Sequence, residues 1–120
     1  MSSFTQVDQV ISTHTINIPS KSNQDRGIHF TITGFEIWIT VDGHGINGDK
    51  FADLTISYLT SRFNDGSLNL ETDDLTETMT LLLNQLNEEA RTKYESISGG
   101  NTLSILIKRL NDWWVINLGD

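Results

Sequence analysis

The chain has 120 residues, no cysteine, and eight basic against sixteen acidic side chains, for a net charge of −8. That length predicts one domain with a modest core, and 37% hydrophobic residues are ordinary for a soluble globular protein. The charge repels nucleic-acid phosphates and anionic membranes and suits divalent cations, so neither a nucleic acid nor a membrane is expected as a partner. The missing cysteines exclude disulfides, thiolate nucleophiles and Cys-based zinc or iron–sulfur sites.

The opening residues, MSSFTQVDQVIS, carry neither a basic n-region nor an apolar h-region. No apolar run approaches the roughly 20 residues that span a bilayer, and the expected location is cytoplasmic. From Gln9 to Ile18 a loose alternation (Val10, Ile16, Ile18) predicts an early strand that Pro19 ends. A polar loop follows. Ile28, Phe30 and Ile32 then share one face of a strand, and Ile37, Ile39 and Val41 share one face of a second; a turn at Gly34–Phe35 makes them an antiparallel hairpin.

Phe51, Leu54, Tyr58 and Leu59 have helical spacing, which predicts a helix from Gly48 to Phe63. A second helix is expected from Asp73 to Ser96, with Leu75, Met79, Leu82, Leu83, Leu86, Ala90 and Tyr94 as its apolar stripe. Thr72, Asp73 and Asp74 offer caps at its start. The end of the chain reads as another hairpin, NTLSILIKRL and WWVINLGD, turning around Asn111–Asp112 and sending Trp113 and Trp114 to opposite faces. The order β-β-β-α-α-β-β segregates strands from helices, which argues for an α+β fold with antiparallel pairing.

Gly43, Gly45 and Gly48 spell G-x-G-x-x-G after a strand and before a helix, the context of a dinucleotide fingerprint. That reading fails on charge and on topology. Asp42 and Asp49 flank the loop, and a helix rather than a strand follows the first helix, so no βαβ unit closes. An EF-hand fails because Ile46 would occupy a ligand position. The glycine spacing therefore reads as incidental to ligand binding.

Asp42 carries more information. It ends an apolar strand and precedes a glycine, so a carboxylate stands beside an accessible carbonyl, a hard-oxygen pair suited to Mg²⁺ or Mn²⁺; the plainer alternative is an Asp-Gly turn. Asp25 and Asp120 also lie at strand ends, so three carboxylates are expected to converge on one sheet edge. His14 and His29 read as strand-surface or satisfied interior groups. No G-x-S-x-G is present to support a serine hydrolase.

The successive stretches NQD (Asn23–Asp25), VDGHG (Val41–Gly45) followed by a helix, SGGNTLSIL (Ser98–Leu106) and NLGD (Asn117–Asp120) resemble the motifs of PP2C-type (PPM) metal-dependent serine/threonine protein phosphatases. The resemblance runs from about Ser20 to Asp120. It implies antiparallel sheets with outer helices, part of an α-β-β-α sandwich, and one domain over residues 1–120 that lacks the family's C-terminal half. It implies that Asp42, the Gly43 carbonyl, Gln24, Asp25 and Asp120 take part in Mg²⁺ or Mn²⁺ binding, with Gln24 where many members have Glu. His44 is then the acid that protonates the leaving group, and Lys21 is the nearest cation for phosphate.

The implied reaction is hydrolysis of phosphoserine or phosphothreonine in a phosphoprotein by metal-activated water. The alternative is a PP2C-like binding or regulatory module without turnover. A half-sandwich also implies an uncovered apolar sheet face, so self-association or a completing partner chain is expected.

Overall fold

The computed structural model describes residues 2–3, 24–95 and 99–119. Strands β1 (Ser2–Ser3), β2 (Asp25–Ile32) and β3 (Phe35–His44) precede helices α1 (Gly48–Asn64) and α2 (Thr76–Tyr94), and strands β4 (Gly100–Arg109) and β5 (Asp112–Leu118) close the chain. All pairs are antiparallel, in the order β1-β5-β4-β3-β2. The expected α+β class and antiparallel pairing are what the chain forms. The strand expected at Gln9–Ile18 lies outside the described residues.

The core follows from period-two alternation in β3. Phe35, Ile37, Ile39 and Val41 are buried on one face, and Leu103, Ile105 and Ile107 of β4 and Trp114 and Ile116 of β5 extend that face. Ala52, Leu59 and Phe63 of α1 and Met79, Leu82, Leu83 and Leu86 of α2 pack on it. Each fully buried aliphatic side chain contributes about 1.5–3 kcal/mol. Among the described residues, the opposite, open face carries no helix. Its rows run Asp25–Asp42–Thr102, then Gly27–Thr40–Ser104–Asn117, then His29–Trp38–Leu106–Val115.

Three boundaries differ from the sequence reading. The first hairpin turns at Thr33–Gly34, with Ile32 opposite Phe35, because Gly34 takes φ +82° and Phe35 already belongs to the core. The second turns at Leu110–Asn111, with Arg109 opposite Asp112. Helix α2 starts at Thr76 rather than Asp73. Arg109 donates to the carbonyls of Leu70 and Thr72 and holds that segment out of the helix, and the Asp74 carboxylate accepts from the Thr76 backbone N–H at 2.9 Å. Trp113 and Trp114 do take opposite faces. Trp114 joins the helix-side core beneath Arg109, 4.6 Å from its ring centroid. Trp113 stacks on Trp38 across the open face, with centroids 5.8 Å apart.

The chain leaves β3 at His44, runs out and back through the helices, and re-enters the sheet at Gly100, the Cα partner of His44. The last residues of β3 therefore meet the first of β4 at one end of the sheet.

Candidate metal centre

Strand alternation puts Asp42 on the open face, because Val41 and Gly43 on either side of it are buried toward the helices. The register of the first hairpin sets Asp25 directly opposite. Their carboxyl groups hydrogen-bond to one another, and this raises the Asp25 pKa above its ordinary value; partial burial and the charge of Asp42 add to the rise, and Arg26 opposes it. Two carboxyls this close repel when both are ionised, a repulsion that a shared proton or a bound cation relieves. Hard oxygen donors from Asp25 and Asp42, with the Gly43 backbone beside them, fit Mg²⁺ or Mn²⁺ by chemistry. Among the described residues, no three His, Cys, Asp or Glu side chains converge. Asp120 and Lys21 lie outside the described residues.

The loop after Asp42 is built by close backbone approach. A Cβ on Gly43 would come within 2.5 Å of the Gly48 carbonyl oxygen, one on Gly45 within 2.8 Å of the Gly99 Cα, and one on Gly48 within 2.6 Å of Gln24 Oε1. The G-x-G-x-x-G spacing is therefore not incidental to the fold: each glycine stands where a side chain has no room. Gln24, expected among the cation ligands, is buried and turns its amide into this loop, donating from Nε2 to the Gly45 carbonyl at 2.7 Å.

His44 is exposed and sits over Gly100, where a Cβ would lie 3.1 Å from Nε2. Asn101, next in β4, donates from Nδ2 to Thr55 Oγ1 of α1 at 2.9 Å. Arg26 ties the start of β2 to α1 through Asp53 at 2.7 Å and donates to the Asp25 carbonyl at 2.9 Å. Reading the sequence singled out neither Arg26 nor Thr102, the β4 neighbour of Asp42. Thr102 could have been found only from the β3–β4 register, which links positions 60 residues apart. His29 stacks on Trp38 with centroids 4.8 Å apart and reaches Glu36 at 3.3 Å. It is a strand-surface group remote from Asp42.

No family model and no curated protein matches this sequence. Among solved structures, the whole chain superposes on the PPM Ser-Thr phosphatase MsPP from Mycobacterium smegmatis, crystallised in complex with cacodylate, with a TM-score of 0.62 and 17% sequence identity. The fold is PP2C-like. At that identity the likeness establishes architecture alone. The chain spans 45% of the length of the mycobacterial protein, so it corresponds to part of the PP2C-like sandwich. No helix among the described residues is long and apolar enough to cross a membrane.

Proposed function

We propose that the chain is a PP2C-like metal-dependent phosphatase module acting on phosphoserine or phosphothreonine in proteins. The observation that carries this reading is the contact of Asp25 with Asp42 at the end of the sheet, one residue before Gly43–His44, on a PP2C-like fold. In this reading Asp25, Asp42 and the Gly43 carbonyl hold Mg²⁺ or Mn²⁺, and Asp120 belongs to a further site. When bound, the cations supply an activated water and neutralise phosphoryl charge.

The chain's own residues do the rest. Asp42 and Asp25 concentrate negative charge at one sheet end, and an exposed His44 on a glycine-backed loop donates a proton to the departing serine or threonine oxygen. Lys21 attracts the phosphate. Closely packed glycines hold His44 and the carboxylates in a fixed relation before substrate arrives.

The test is Mn²⁺-dependent hydrolysis of a small aryl phosphate by the wild type and Asp42→Ala. The expected outcome is metal-stimulated turnover in the wild type and a fall of at least about 100-fold in the variant, the scale of losing a principal electrostatic group. A wild type without turnover at saturating Mn²⁺ overturns the reading. Mn²⁺ binding without turnover would then support the binding or regulatory module, which the pairing of just two carboxylates among the described residues also favours.

A further inference from the structure

Gln24 makes three separate contacts with one loop. Its backbone carbonyl accepts from the Gly43 N–H at 2.9 Å. Its side-chain Nε2 donates to the Gly45 carbonyl at 2.7 Å. Its Oε1 fills the space over Gly48 that a Cβ would need, 2.6 Å away. Gln24 is 8% exposed. A carbonyl oxygen can only accept, so the amide nitrogen has to face Gly45. A carboxylate in the same place would set oxygen against oxygen in a nearly dry pocket, a costly arrangement.

We infer that Gln24 is a positioning residue whose amide staples the Gly43–Gly48 loop, and that this side chain is matched to Gly45 and Gly48 rather than serving as a cation ligand. A Cβ on Gly43 would meet the Gly48 and Gln24 carbonyls, one on Gly48 the Gln24 amide, and one on Gly45 the Gly99 backbone. These contacts brace the loop on both sides of His44, at the Gly43 N–H and at the Gly45 carbonyl. What the loop does once fixed rests on the phosphatase reading; that Gln24 fixes it does not.

The experiment compares wild type, Gln24→Glu and Gly48→Ala by amide hydrogen exchange in metal-free protein and by calorimetric Mn²⁺ titration. Gln24→Glu keeps the shape, removes the donor and adds charge. Gly48→Ala leaves every carboxylate in place and displaces the Gln24 amide. Both variants are expected to speed exchange at Gly43 and Gly48 at least tenfold, with the core amides of Ile37 and Ile105 unchanged; a general loss of structure would move all four. Gln24→Glu is also expected to bind Mn²⁺ several-fold more weakly despite its extra charge. Unchanged loop exchange in both variants, or tighter Mn²⁺ binding by Gln24→Glu, overturns the inference. If the wild type takes up no Mn²⁺, the phosphatase reading falls and the exchange measurement alone decides the role of Gln24.

Discussion

Asp25 stands against Asp42 with its pKa raised, chiefly by their shared hydrogen bond. A folded-state pKa above the ordinary 3.8 means that the protonated form favours the fold. That stabilisation is complete below 3.8 and is lost as pH rises through the folded value, after which two anions face one another. Asp25→Asn retains a donor for Asp42 without the charge. Metal-free Asp25→Asn is therefore expected to melt higher than wild type at neutral pH, by less than about 1 kcal/mol because water screens the pair. The gap should close in acid, and Mn²⁺ should raise the melting temperature of the wild type but not of the variant. Thermal melts across pH, with and without Mn²⁺, check all three. Asp42 was legible because it interrupts an apolar alternation and precedes a glycine. The role of the Gln24 amide was not, because its partner, the Gly45 carbonyl, lies 21 residues away and nothing local announces it.

Elements were legible where periodicity is long, and their ends were not. Each hairpin turns one residue earlier than its apolar pattern suggests, and this matters for the site. A turn at Gly34–Phe35 would have put Gly27 opposite Asp42; the turn at Thr33–Gly34 puts Asp25 there. The second hairpin carries a cost that the sequence hides. Leu110 adopts φ +55° in a two-residue turn and is largely exposed, so its Cβ is crowded with no packing in return. Leu110→Asn is expected to stabilise the chain by up to about 1 kcal/mol, read from urea denaturation with an unchanged slope. At the start of α2, the Asp74 carboxylate accepts from both the backbone N–H and the hydroxyl of Thr76, and these bonds lower its pKa. A lowered folded pKa gives stability that is present above 3.8 and lost as pH falls through the folded value. Asp74→Ala should thus lower the melting temperature at neutral pH and lose its effect in acid. The late start of α2 was not legible, because Arg109, more than thirty residues downstream, holds the carbonyls of Leu70 and Thr72.

Among the described residues, helices cover one side of the sheet. Helices bury the face of Ile37, Ile39, Ile105 and Ile107, whereas Trp38, Leu106 and Val115 on the other face are half-buried around a cavity of about 270 Å³. The hydrophobic alternation was enough to foresee two unequal faces, but which residues line up across the open one depended on register. Sheets with an apolar band on the side away from their helices pair face to face at about 10 Å in sandwiches, and contiguous apolar patches mark interfaces. The 120 residues by themselves are therefore expected to self-associate, with a sedimenting mass above 13.5 kDa that grows with concentration. Leu106 lies in the middle of this band on a central strand. A lysine there can extend its ammonium to water only when nothing covers the face. Leu106→Lys is accordingly expected to shift the equilibrium toward monomer while leaving the circular dichroism of the sheet and Mn²⁺ binding near wild type, since Asp42 lies two rows away. A wild type that sediments as a monomer at every concentration refutes the prediction. So does a Leu106→Lys variant that associates as strongly as its parent, because the contact would then lie elsewhere on the surface.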